Sequence, residues 1–351
     1  MVAIPLTHSY VAERDQGWIY RKSWDLTYLI FSAVLVPVPL LIADITVYCG
    51  LLTEEQAIGL VNLLVAGLVG GPHLWSTFTL TLLDRPFLRR HPMYASSCLV
   101  IPIAVVILGL TAYPMLILVF FGWASVHLLH QLNFLADCYR KRGEWPEAAW
   151  SRCVDFGVIS LGLYPVGLHK LESGEFQVAG VLLPYPEIAR SLHLPEVVGG
   201  VFVALLILWG AKTAWESVHG RLNVPKTLLI LVTAIVSFFL PMGNNLDILF
   251  QGYNTWHSVQ YLFLFWVLNR FRFERGEIES RFVRWMVSSS SILPYYLCLF
   301  AAGGALMLVT LALPLVTPLG SEQSYFIVVL SVLLVHYYFD HFLFTKTNLA
   351  R

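Results

Sequence analysis

The sequence predicts an all-α fold: a polytopic integral membrane helical bundle of about ten transmembrane helices, with both termini cytoplasmic. Three observations carry this prediction. Of 351 residues, 57% are hydrophobic and only 13% are charged, whereas a soluble domain carries roughly 25% charged residues. Such a chain cannot cover a water-facing surface, and its mean hydropathy is +0.69. Apolar runs of the length needed to cross a bilayer, roughly 20 residues, recur from end to end. The basic residues fall almost entirely in alternate connections between those runs, as the positive-inside rule expects.

The elements follow in order. Residues 1–25 form a polar segment of mixed charge with no apolar h-region or cleavage site, so no cleaved signal peptide is expected and the segment reads as cytoplasmic. Residues 26–345 form a single transmembrane domain, and 346–351 a cytoplasmic tail. The predicted spans are 26–49, 56–83, 96–111, 115–137, 153–169, 197–215, 227–246, 248–268, 291–313 and 323–345. The third and fifth are short, and the seventh and eighth nearly abut, so eight or nine spans are the competing counts. Pro37, Pro39, Pro102, Pro165 and Pro241 lie within spans, where membrane helices tolerate proline if neighbours re-satisfy the freed carbonyls. With both ends inside, the cytoplasmic segments hold three, three, four, three, five and two Lys/Arg, or 20 of 22. Only Lys170 and Arg190 lie outside, in the 170–196 loop. Losing one span would break this alternation downstream.

Several function classes are disfavoured. Formal net charge is zero, so no basic field argues for nucleic acid. The five cysteines are scattered, with no CxxC or disulfide-framework spacing. There is no GxSxG, HExxH or glycine-rich phosphate loop. A carrier would use "PMGNNLD" (241–247) as an unwound segment, but no inverted repeat accompanies it.

The informative residues are histidines in apolar surroundings. His73 lies 12 residues before Arg85, His127 and His130 lie 13 and 10 before Arg140, His257 lies 13 before Arg270, and His336 lies 10 before Lys346. At about 1.5 Å per residue, all five sit roughly 15–20 Å from the inner basic border, near mid-bilayer in a core about 30 Å thick. All five are on even-numbered spans, so they form one layer. A lone intramembrane histidine is more often a hydrogen-bonded core residue than a ligand. A common depth on four separate helices points instead to a shared site, because intramembrane ionisable groups are expensive and mark function. His8, His91, His169, His193 and His219 lie at ends or in loops and read as interfacial.

The histidines have polar neighbours at helical spacing. Gln131 follows His130, Gln260 and Tyr261 are at i+3 and i+4 from His257, and Asp340 is at i+4 from His336. Ligating histidines usually give their second N–H to a carboxylate or carbonyl. Gln131, Gln260, Tyr261 and Asp340 are therefore the expected supports for a ligand set of His73, His127, His130, His257 and His336, and Asp340 is also a candidate ligand. Asp84, at the inner interface, is expected to pair with Arg85 or Arg89. In "LVGGPHLWSTFTLTLLD", Gly70, Gly71 and Pro72 would weaken or kink the helix and admit another backbone, and Ser76, Thr77, Thr79 and Thr81 add a hydroxyl stripe.

Several imidazoles with one carboxylate and no thiolate pair suit iron, copper or zinc and disfavour magnesium and calcium. Buried, aromatic-rich surroundings favour a lipophilic substrate entering from the membrane, with non-haem iron handling O₂. A single b-type haem stays open, since axial histidines on facing helices would also hold it.

"GGPHLWSTFTLTLLD" and "WHSVQYLFLFW" resemble the Pro-His and His-Ser motifs of the Brp/Blh family of membrane β-carotene dioxygenases, over about ten residues. That resemblance implies an all-helical enzyme holding one non-haem iron with four histidines. It makes His73 and His257 ligands and His127 or His130 a third; the fourth must come from outside the matched motifs, and His336 is the candidate. Gln260 and Tyr261 stand where the family's His-Ser-x-Arg-His has its Arg and second His, and the Gly and Asp that follow the family's first His are replaced by "LWSTFT". The carotenoid substrate does not follow from the match.

The expected function is thus a membrane oxidoreductase with a histidine-coordinated metal, acting on a lipophilic small molecule among membrane lipids. It would sit in the plasma membrane, or the inner membrane of a bacterium. A non-catalytic haem-binding or structural subunit of a larger membrane complex is the alternative, and a transporter comes third.

Overall fold

A computed structural model of the chain describes residues 17–175, 177–178, 181–243 and 245–346. The N-terminal residues 1–16, with His8, and the tail from 347 lie outside the described residues. The helices in chain order are α1 (Lys22–Tyr48) and α2 (Glu54–Thr79), α3 (Arg85–Arg90), α4 (Pro92–Thr111), α5 (Tyr113–Arg142), α6 (Ala149–Leu161) and α7 (Tyr164–Glu172). They continue with α8 (Glu187–Ser191) and α9 (Leu194–Val218), α10 (Val224–Met242), α11 (Leu246–Glu274), α12 (Arg281–Ser288), α13 (Leu293–Val316) and α14 (Ser321–Lys346). The 170–196 loop carries a two-residue antiparallel ribbon, β1 (Gln177–Val178) against β2 (Val181–Leu182), with Gln177 opposite Leu182.

The chain is an all-α membrane bundle. Among the described residues, eight helices are long and apolar enough to cross a membrane: α1, α2, α4, α5, α9, α10, α13 and α14. The two expected spans outside that set differ for identifiable reasons. The run 153–169 is divided into α6 and α7 around Gly162, with Pro165 opening the second piece. The run 248–268 is a 29-residue helix, but Gln251, Asn254, His257, Gln260 and Asn269 lower its hydropathy.

Those polar residues are tolerated because α11 is the centre of the bundle. Every residue from Gln260 to Asn269 is buried, which is how a helix surrounded on all sides behaves. It packs against α1, α2 and α12. Aromatic rings fill the contact with the N-terminal region, where Trp24 stacks on Phe263 and Trp266. Asp25 is fully buried there. Its carboxylate accepts from the backbone N–H of Ile19 (2.6 Å) and Tyr20 (3.2 Å), and from the Tyr139 hydroxyl at 3.3 Å, so its burial is compensated.

α2 is irregular where the sequence suggests. A Thr53/Gln56 capping box starts it. A π-turn at Ala66–Gly70 precedes Pro72, and the helix tightens to 3₁₀ at Thr77–Thr79. Proline cannot donate to the ladder, and a one-turn π-bulge absorbs the mismatch. Gly71 faces α13: a Cβ there would sit 3.2 Å from the Gly303 Cα, and one on Gly303 would sit 3.1 Å from the Gly71 Cα. The two backbones meet only because both positions are glycine.

Two ion-pair groups lie where the basic residues cluster. Lys212 and Lys226, both buried, bond Asp155, and Lys226 also donates to Glu147 at 2.5 Å. This ties α6, α9 and α10 together. Asp84 pairs with Arg272 of α11 at 2.9 Å, not with Arg85 or Arg89. The cause is tertiary, because the C-terminal ends of α2 and α11 are brought side by side. Just beyond α11, the Arg275 guanidinium donates to Glu277 at 2.5 Å and holds that carboxyl below the usual range.

Candidate metal centre

Four of the five histidines expected in one layer converge. His73 comes from the irregular part of α2, His127 from α5, His257 from α11 and His336 from α14, and all four are buried. His127 Nε2 and His73 Nε2 each lie 3.2 Å from His257 Nε2. The ring centroids of His336 are 4.5 Å from His73 and 5.0 Å from His127. Asp340 Oδ2 lies 3.5 Å from His336 Nε2 and 3.8 Å from His127 Nε2. The donors form two sets with metal-ligand spacing, His73–His127–His257 and His127–His336–Asp340, sharing His127.

Hydrogen bonding alone does not satisfy this group. A neutral imidazole nitrogen carries either one proton or one lone pair. His257 Nε2 therefore cannot make true hydrogen bonds to both His127 and His73. A cation between them would resolve the conflict. With metal–nitrogen distances of about 2.0–2.1 Å, tetrahedral donors sit about 3.3–3.4 Å apart and donors at right angles about 2.9 Å apart. The observed 3.2 Å falls between these values.

The second set leads to the same place by a different route. The Thr77 hydroxyl donates to Asp340 Oδ1 at 2.8 Å and lies 2.6 Å from His336 Nδ1. Its single proton goes to the carboxylate, which only accepts, so the Thr77 oxygen accepts from His336 Nδ1–H. That fixes the tautomer and leaves a lone pair on His336 Nε2. Tyr261 donates to Asp340 Oδ1 at 2.5 Å and also contacts the Thr77 hydroxyl. Oδ1 is thus served, while His336 Nε2 and Asp340 Oδ2 have no hydrogen-bond partner among the described residues. Two buried lone pairs face one another across 3.5 Å, an arrangement that costs free energy unless a cation or a shared proton lies between them.

The expected supports take distinct positions. Gln131 donates to the His257 carbonyl at 3.3 Å and to Gln260 Oε1 at 3.2 Å, and Gln260 donates to the Leu29 carbonyl at 2.6 Å. They fasten α5, α11 and α1 around the layer and hold the backbone of His257, not its ring. Tyr261 acts on Asp340, and Asp340 turns one oxygen toward Thr77 and the other toward the imidazoles. His130 is turned away from the convergence: its ring faces His341 at 5.3 Å and Phe344 at 5.4 Å. Of the interfacial histidines, His91 packs between Phe87 and Phe342, and His169, His193 and His219 are exposed.

Two participants went unassigned from sequence. Thr77 belongs to the hydroxyl stripe and is four residues after His73, so its side chain shares that face. The spacing marks the face without identifying partners on α11 and α14. Tyr337, next to His336, stacks on His127 at 4.2 Å and keeps that ring in place. Comparison of the chain with protein-family models, with curated proteins and with solved structures finds no match.

Proposed function

We propose that this chain is an integral membrane oxidoreductase in which His73, His127, His257, His336 and Asp340 hold one non-haem iron and act on a lipophilic substrate. The observation that carries the reading is the convergence of buried donor atoms that hydrogen bonds cannot satisfy. Imidazoles and a carboxylate without thiolate suit iron, copper or zinc. The His127–His336–Asp340 set has the two-histidine, one-carboxylate composition associated with iron that handles O₂. His73 and His257, the ligands implied by the resemblance to the Brp/Blh family, lie 3.2 Å apart, which supports the same choice. The two axial nitrogens of a haem would lie about 4 Å apart on opposite sides of the iron, so the 3.2 Å spacing favours a bare ion.

Bound iron would supply the redox chemistry that activates O₂. The chain's own residues prepare the site. Thr77 keeps the His336 proton on Nδ1, Tyr261 and Thr77 hold Asp340 Oδ1 so that Oδ2 faces inward, and Tyr337 holds His127. Phe265, stacked on Tyr261 at 3.9 Å, and Phe339 are fully buried and exclude water. Ten crossings with both ends cytoplasmic belong to the same proposal. α11 is long enough to span, α6 and α7 together make a broken crossing, and the basic residues then alternate correctly.

Metal analysis and the visible spectrum of protein purified in mild detergent test the proposal. About one iron per chain without a Soret band is the expected result, lost on replacing His73, His127, His257 or His336 with Ala. Metal-free protein, or a Soret band, would overturn it.

A further inference from the structure

A cavity of about 270 Å³ lies between α5, α7 and the start of α11. Two of its lining residues lie at the level of the histidine layer: Leu128 follows His127 in sequence, and Tyr253 is one turn before His257 on α11. Asp247 is the only charged residue lining it among the described residues, ten residues before His257 and so about 15 Å along the helix.

The walls offer almost no free hydrogen-bonding group. The Tyr253 hydroxyl is bonded to Ser237 at 3.0 Å, and Ser125 donates to the Gly122 carbonyl at 2.9 Å. The remaining lining is aliphatic or aromatic apart from Tyr164, whose hydroxyl lies 3.5 Å from Ser125. A sugar, nucleotide or peptide would lose its water contacts here without replacement. A hydrocarbon loses none. Two glycines form part of the wall, and a Cβ at either Gly122 or Gly167 would meet nothing within 4 Å. Gly122 is exposed on the surface of a span, so the space opens sideways toward lipid.

We propose that this cavity binds a single hydrocarbon chain with an uncharged end, acyl-like or isoprenoid, entering from the bilayer past Gly122. Its inner segment lies against Leu128 and Tyr253, at the level of His127 and His257. Asp247 at the far end accepts a hydrogen bond from a hydroxyl and repels a carboxylate. What becomes of the chain rests on the metal-centre reading, whereas the binding itself does not.

The test is saturable binding of tritiated hexadecanol and tritiated geranylgeraniol to immobilised, detergent-purified protein. Hexadecanol represents the straight chain and geranylgeraniol the branched one, and their relative affinities identify the source. Wild type should take up one chain per protein. Gly122→Leu and Gly167→Leu should each weaken binding about tenfold or more, since one methylene's worth of lost space in an apolar pocket already has that effect. Gly210→Leu, at an exposed glycine of α9 with equally open surroundings, should bind as wild type. Metal content and folded yield should stay at wild-type level in all three variants. His73→Ala should lose metal and keep the chain, which separates failure of the metal reading from failure of this one. No saturable binding in wild type, or equal binding by folded Gly122→Leu and Gly167→Leu, overturns the proposal.

Discussion

Thr77→Val removes a single oxygen from the centre without changing the side chain's shape. That oxygen donates to Asp340 Oδ1 at 2.8 Å and receives the His336 Nδ1 proton at 2.6 Å. In the variant Oδ1 keeps Tyr261 at 2.5 Å, but His336 Nδ1–H loses its hydroxyl partner in a fully buried position. One orphaned buried donor costs about 1–3 kcal/mol of stability. The tautomer is also released, so His336 no longer presents a lone pair from Nε2 as its fixed state. Loss of such an outer partner lowers metal affinity about 10–100-fold, or about 1.4–2.8 kcal/mol. The assay is competition for iron against a calibrated chelator, with thermal unfolding measured in parallel. Thr79→Val is the control: its hydroxyl accepts from Asn269 at 2.7 Å and is equally buried, but it touches none of the ligands. It should lower stability and leave metal affinity unchanged. Equal metal affinity in wild type and Thr77→Val would refute the assignment of the His336 proton.

The other predictions concern ligand choice, packing, charge and orientation. His130→Ala should retain wild-type metal content, because its ring faces His341 and Phe344; loss of metal would mean that it turns inward. Gly71→Val should cost about 1–3 kcal/mol by overpacking against Gly303 and should also reduce metal content, since His73 is two residues away; thermal unfolding and metal analysis check both. Lys226→Met leaves Glu147 without its 2.5 Å partner and Asp155 with Lys212 alone, so a loss of about 3–5 kcal/mol is expected, read from the unfolding midpoint in denaturant. Single cysteines at Arg142 and Arg275 should label from the cytoplasmic side and one at Glu175 from outside; labelling of 175 together with 142 would break the ten-crossing topology.

The membrane class and most of the crossings were legible in the sequence because apolar length and basic-residue placement are local properties. That His73, His127, His257 and His336 share one level was legible for the same reason, since the residue count from each to the next basic residue is nearly equal. Choosing between His127 and His130 was not possible from spacing. Both lie on one broad helix face, and only the rotation of α5 against α11 and α14 sends one ring inward and the other to His341. Asp84 failed similarly: its sequence neighbours Arg85 and Arg89 were visible, while Arg272 is 188 residues away. Asp340 was legible as a partner of His336 through i+4 spacing, but its division between Thr77, Tyr261 and the imidazoles depends on three helices meeting. α11 falls outside the strongly apolar set in part because His257 and Gln260, which belong to the candidate site, lower its hydropathy.

The most direct test of the central claim is the metal K-edge X-ray absorption spectrum of the purified protein. The expected result is stoichiometric iron with a shell of nitrogen and oxygen at about 2.0–2.2 Å and the multiple-scattering signature of four imidazoles. In a His336→Ala variant the iron edge itself should disappear with the bound metal. A sulfur shell, a porphyrin signature, fewer than three imidazoles, or no bound metal would contradict it.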